Sequence, residues 1–134
     1  MSRIIKFDRR LLTPIVSVVV YGSRDRAVVR LVFDTGAAFT ELHTAIAEDI
    51  GYSARDGIER VTAFGPAGPM QEGYTLELKR LTVFGLNFEG IKVAVYDFDN
   101  LTEMKVDGLL GWDLIKEMRL ELDGPAGELR VFAQ

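Results

Sequence analysis

The residue best placed to do chemistry in this sequence is Asp34. An almost wholly apolar, β-rich run, Ala27-Val-Val-Arg-Leu-Val32, leads into Phe33-Asp34-Thr35-Gly36-Ala37. An Asp at a strand end is ordinarily a turn residue, but two local features set this one apart. Its carboxylate leaves a strand that reads as buried, and Gly36 permits a close backbone approach that a side chain would block. A carboxylate held in that way can act as a general acid or base. A second distinctive segment, Gly108-Leu-Leu-Gly-Trp-Asp-Leu-Ile115, begins 75 residues after Phe33.

Other groups that could react are weaker candidates. Asp107 reads as a turn residue before Gly108. Asp113 falls at the start of a helix, where free amides and the helix dipole favour a carboxylate. His43 is the single histidine, and no nucleophile-elbow motif accompanies it, so a role at the start of a helix suits it better than a triad. One His and no Cys cannot build an ordinary zinc site. Asp97-Phe-Asp99-Asn100 begins like a calcium loop, but Leu101 and Thr102 stand where a ligand oxygen and a glycine are needed, so the segment reads as a polar turn. Gly65-Pro-Ala-Gly68 lacks the Lys-Ser/Thr of a phosphate loop. No cofactor or metal is implied.

The elements that must position Asp34 follow from the pattern of apolar residues. Strands are expected over Ile4–Phe7, Ile15–Tyr21, Ala27–Phe33, Glu59–Phe64, Gly73–Val83, Phe88–Tyr96 and Glu128–Phe132, rich in β-branched and aromatic residues and several bounded by Gly, Asp or Asn. Tyr21-Gly-Ser-Arg-Asp-Arg26 and the Gly85-Leu86-Asn87 stretch read as hairpin turns. Two short helices are expected: Thr44–Ile50, capped by Thr44 and ended by Gly51, and a segment from about Trp112 to Met118. Many short strands with two short helices predict an all-β, barrel-like domain.

Size and composition narrow the function classes. A chain of 134 residues is one ordinary domain, large enough to bury roughly 68% of its unfolded surface. Apolar residues make up 48%, so a packed core forms without staples. There is no cysteine, which removes disulfides and thiolate chemistry and fits a reducing, cytoplasmic setting. The net charge of −4 argues against sequence-independent binding to nucleic acid. The apolar stretch Leu11–Tyr21 is interrupted by Pro14 and is too short to span a bilayer, so a soluble protein without membrane association is expected.

Taken together, Asp34-Thr35-Gly36 and Leu109-Leu110-Gly111 resemble the retropepsin-like aspartic protease family, whose members carry one Asp-Thr-Gly per chain. The resemblance spans roughly residues 13–132, with the two motifs as its specific part. It implies a closed or partly open acid-protease-like β-barrel in which residues 109–111 supply the second loop of a ψ-shaped arrangement around Asp34. In that class two carboxylates share one proton, because like charges about 3 Å apart cannot both ionise; this split titration belongs to the class as a whole. With one Asp34 per chain, the resemblance implies a homodimer acting on a peptide or protein substrate, with Asp34 as the catalytic residue. Thr35, Gly36 and Ala37 form its scaffold, and Thr35 reaches across to the partner. The implied substrate cleft is apolar, lined by Phe39, by Phe64 and Gly65 of a closing hairpin over Val61–Gln71, and by Leu109 and Leu110.

The sequence departs from parts of the family pattern. Ala37 stands where two-domain relatives place a hydroxyl donor, which predicts a mildly acid or near-neutral rate optimum. Ala38 and Phe39 present apolar surface where relatives often carry polar side chains. Trp112 stands where viral relatives carry an arginine, and Pro66 and Pro69 stiffen the tip of the hairpin. Two alternatives to the protease follow: a catalytically inactive dimer of the same fold that binds peptides or other partners, and a monomeric barrel in which Asp34 merely caps a turn.

Overall fold

A computed structural model describes residues 2–65, 68–97 and 105–132; the side chains of 64, 65 and 68–70 fall outside that description. Ten strands and two short α-helices appear among the described residues: β1 (Ser2–Lys6), β2 (Ile15–Tyr21), β3 (Arg26–Phe33), β4 (Glu41–His43), α1 (Thr44–Asp49), β5 (Arg60–Gly65), β6 (Gly68–Val83), β7 (Leu86–Tyr96), β8 (Gly108–Leu110), α2 (Trp112–Ile115), β9 (Leu120–Asp123) and β10 (Glu128–Phe132). A single 3-10 turn covers Ala54–Asp56.

The main sheet runs in the order β2-β3-β8-β4-β7-β6-β5, and β2 also pairs with β6. That pairing closes six strands into a barrel and leaves β5 attached outside the ring on β6. Closure removes the exposed edges that a six-stranded sheet would otherwise present. Strand β6 makes it possible because it is 16 residues long: its first part pairs with β5, its remainder with β7, and Arg80–Val83 also pair with β2. The second sheet, β1-β10-β9, covers the barrel and sends Leu129 and Val131 into the core.

Alternation along β2 and β3 explains the packing. Val16, Val18 and Val20 of β2 and Val29 and Leu31 of β3 are buried, joining Leu42, Leu76, Leu78, Leu81, Val93, Val95 and Leu110 in one apolar cluster. Each such side chain contributes about 1.5–3 kcal/mol by leaving water. The sheets therefore form around a continuous interior, as the strand pattern predicts, and the barrel is closed.

Several boundaries differ from expectation for physical reasons. The β6–β7 hairpin turns on Phe84 and Gly85, both at positive φ, and Leu86 already pairs with Val83. Helix α1 is capped by His43 and not by Thr44: the His43 Nδ1 accepts from the Ala45 amide at 3.0 Å. His43 Nε2 also lies 3.2 Å from Asp97 Oδ1, so the lone histidine works as a structural cap. Helix α2 is one turn, stopping at Ile115, with Leu114 and Ile115 buried. Among the described residues, no helix is long and apolar enough to cross a membrane. The rest of the calcium-like segment, 98–102, lies outside the described residues, as does the hairpin tip at 66–67.

Candidate active site

Asp34 sits where β3 leaves the barrel. Val32 and Phe33 pair in parallel with Leu109 and Leu110 of β8, and the Asp34 amide extends this ladder by donating to the Leu110 carbonyl at 3.0 Å. The chain then turns sharply. The Gly36 amide donates to Asp34 Oδ1 at 2.9 Å, and the Ala37 amide donates to the Asp34 carbonyl at 3.3 Å. The half-buried carboxylate is thus aimed by its own loop before anything else touches it. A Cβ on residue 36 would lie 3.2 Å from Asp34 Oδ1, so the glycine keeps that approach open.

A second loop holds the first. The Trp112 amide donates to the Ala37 carbonyl at 2.7 Å. Thr40 is fully buried and binds the other loop three times. Its amide donates to Asp113 Oδ2 at 3.0 Å, its hydroxyl donates to Asp113 Oδ1 at 2.8 Å, and the same hydroxyl accepts from the Gly111 amide at 3.1 Å. Asp113 Oδ1 also accepts from the Leu114 amide at 3.0 Å. Asp113 therefore does more than favour a helix start: it ties α2 to the loop that carries Asp34. The loops pass so closely that a Cβ on Gly111 would lie 2.5 Å from the Phe39 carbonyl carbon and 2.8 Å from the Thr40 nitrogen. A Cβ on Gly108 would collide with the Glu41 carbonyl oxygen. This crowding is the physical reason that glycines bracket Leu109 and Leu110.

Strand register determines which side chains share a face. Val32, Leu109, Glu41 and Ala94 stand opposite one another across β3, β8, β4 and β7. In the adjacent row, Leu31, Leu42 and Val95 send their side chains into the barrel core, with Gly108 between Leu31 and Leu42. Side chains alternate along a strand, so Asp34, two residues beyond Val32, falls on the face of Leu109 and Glu41. Glu41 is half-buried there. Burial, then the negative charges of Asp34 and Asp113, push its carboxyl up from 4.5 to about 7.

The expected site residues divide into groups. Thr35 and Gly36 are exposed on the turn and Ala37 is half-buried, and all three build the loop around Asp34. Leu109 is half-buried on the Asp34 face, whereas Leu110 is fully buried; its side chain belongs to the core, and only its carbonyl serves the Asp34 loop. Phe39 and Trp112 are each 49% exposed and flank the point where the two loops join. The backbones of Phe64 and Gly65 lie in β5, and the side chain of Phe64 falls outside the described residues. The concavity beside the β5–β6 hairpin is lined by Ile58, Arg60, Thr62, Glu72 and Tyr74 and does not include Asp34. On the Asp34 face, Val32 and Ala94 are buried, and Asp34, Glu41 and Leu109 are half-buried. Among the described residues, no group of three His, Cys, Asp or Glu is placed to hold a metal.

Two contributors escape a reading of motifs, Thr40 and Glu41. Thr40 meets Asp113 across 73 positions of sequence, and only the pairing of β4 with β8 reveals the contact. For Glu41 the available signal was a lone acidic residue between a buried Thr40 and a buried Leu42, a pattern that alternation alone marks as facing away from the core.

A family model described as aspartyl protease matches residues 16–114, and the chain belongs to that family. No curated protein matches it. Among solved structures, a retropepsin-like aspartic protease from Rickettsia conorii superposes with a TM-score of 0.71 at 21% identity, over 97% of this chain and 98% of that one. EIAV protease complexed with the inhibitor HBY-793 gives 0.59 at 20% identity, over 78% of this chain and 86% of that one. The retroviral protease-like domain of Ddi1 from Leishmania major gives 0.59 at 17% identity, over 84% and 82%. The likeness at these identities is one of fold, and the barrel is retropepsin-like.

Two stability measurements test this geometry, both at fixed protein concentration. Thr40→Val removes two hydrogen bonds from a buried site and should lower the unfolding free energy by about 1–3 kcal/mol in urea titrations; an unchanged midpoint would show that the link between the loops is idle. Glu41 holds its proton more tightly folded than unfolded, so its contribution is complete below pH 4.5 and is lost as pH rises to about 7. Allowing for solvent screening, that loss is on the order of 1–2 kcal/mol. Glu41→Gln should remove this part of the pH dependence, and an identical slope in the variant would contradict the assignment.

Proposed function

We propose that this member of the aspartyl protease family is a homodimeric endopeptidase, in which Asp34 from two copies meets at a two-fold axis and activates one water. The observation that carries this reading is the Asp34 loop: one carboxylate per chain, held by the Gly36 amide and braced where the Trp112 amide binds the Ala37 carbonyl. A two-fold interface brings identical residues together without any further sequence requirement. Phe39 and Trp112 support it, since two large apolar side chains half-exposed beside the site suit burial against a second copy. Thr35 is exposed on the turn, and in such a dimer its hydroxyl would reach across to the partner's loop.

The chemistry follows from two such groups in contact. The ionised carboxylate takes a proton from the bridging water, whose oxygen bonds to the scissile carbonyl carbon. The protonated carboxyl donates to the carbonyl oxygen, giving a neutral tetrahedral diol. As that diol collapses and the C–N bond breaks, one hydroxyl returns its proton to the carboxylate that had donated, and the proton taken from water passes to the departing amine. The two titrations belong to the pair and not to either residue.

Asp34→Asn tests the proposal with an unbiased peptide library across pH 4–7, a window around ordinary carboxylate values. Wild type should cut, with its rate peaking at mildly acid to near-neutral pH, and the variant should lose about 10²–10⁴-fold or more of the rate. Sedimentation at micromolar concentration should show dimers for both proteins. Cleavage that survives Asp34→Asn, a rate maximum below about pH 3, or a monomer in solution would contradict it. Dimers that bind peptides without cutting them would identify an inactive binding module instead.

A further inference from the structure

Glu41 is the one charged residue in the row that crosses the Asp34 face: Val32, Leu109 and Ala94 are apolar, and Glu41 lies between Leu109 and Ala94. It is half-buried, and among the described residues no Lys, Arg or His forms an ion pair with it. Its charged neighbours are Asp34 and Asp113, both acidic. Asp113 is engaged by Thr40 and by the Leu114 amide, and Asp34 Oδ1 by Gly36. Glu41 has no comparable donor among the hydrogen bonds of the described residues.

An ionised carboxylate removed from water without a partner is costly, and it is stabilised either by taking a proton or by gaining a cation. Among the described residues, no cation pairs with Glu41 on this face. An apolar cleft for hydrophobic side chains, the expectation from Phe39 and Leu109, does not account for an acid placed directly beside Leu109. Register argues against an accidental position: a one-residue shift of β4 would turn Glu41 into the core and Leu42 out of it.

We propose that Glu41 forms a charge-selective subsite that takes a lysine or arginine side chain of the substrate beside the bond to be cut. The proposal rests on the reading of this face as the substrate cleft of a protease. An extended substrate lying along β4 would place alternate side chains on this face. A basic one at the Glu41 position would bury its methylene stem against half-buried Leu109 and bring its charge to the carboxylate. The surrounding acids reinforce the choice of partner: Asp34 and Asp113 lie beside Glu41 and disfavour an acidic side chain there, and a cation arriving at Glu41 favours its ionised form, so that the pair forms as the proton leaves.

The test uses pairs of peptides that differ only in Lys against norleucine at each position within two residues of the cut. The readout is the ratio of kcat/KM for the basic peptide to that for the neutral one. Wild type should favour lysine about 10–100-fold at one position. Glu41→Gln should bring that ratio to within about threefold, and Glu41→Lys should invert it toward a matching Glu peptide. The same peptides, fluorescently labelled, are titrated onto Asp34→Asn dimers with and without Glu41→Gln, and affinity is read by anisotropy. Charge-selective binding that disappears with Glu41→Gln supports the subsite even where no cleavage occurs, and then only the protease reading fails. A ratio near one in wild type, a lysine preference that survives Glu41→Gln in both assays, or no binding of any peptide would overturn the subsite.

Discussion

The bond between Thr40 and Asp113 is the constraint on which the rest of the site depends. Asp34 ends a strand and would otherwise sit on a loose turn; it is fixed because the loop that follows it is tied to α2 through a buried hydroxyl and a carboxylate. The interaction is charge-assisted and shielded from water, the setting in which such bonds are strongest. It also explains the glycines at 108 and 111, since the two loops can only be tied if their backbones nearly touch. Positioning of a reactive carboxylate within hydrogen-bond tolerance is a large part of what any acid–base catalyst needs.

The same crowding gives the face its electrostatic character. Burial, and then the charges of Asp34 and Asp113, let Glu41 hold its proton up to about neutral pH. In the proposed dimer, a second copy would cover Phe39 and Trp112 beside them and would supply the second Asp34. The surface that completes the site and the surface that needs covering are then the same surface.

How much of this was legible in the sequence depended on the range of the interaction. Long strands with β-branched residues, such as Ile15–Tyr21 and Glu128–Phe132, were readable end to end, because their signal is local. Strands β4, β8 and β9 were not expected: three or four residues give too little alternation, and each exists because a neighbour supplies its hydrogen bonds. The helical spacing of Leu114, Ile115 and Met118 predicts a helix to about Met118, whereas the helix ends at Ile115 and Met118 lies beyond it. The Asp34 loop was recognisable from its motif, while Glu41 became conspicuous only once β4 was seen between β7 and β8. Leu110 shows the opposite error, an apolar motif residue assigned to the cleft that alternation sends to the core.

The central claim is that two chains share one pair of acids. It is tested most directly by unfolding wild type and Asp34→Asn together, refolding the mixtures at varied ratios, and measuring peptidase activity against the wild-type fraction. With random pairing and a shared site, activity should follow the square of that fraction, so that an equal mixture retains about one quarter. Linear dependence, with about one half retained, would mean that each chain owns a complete site and would contradict the account.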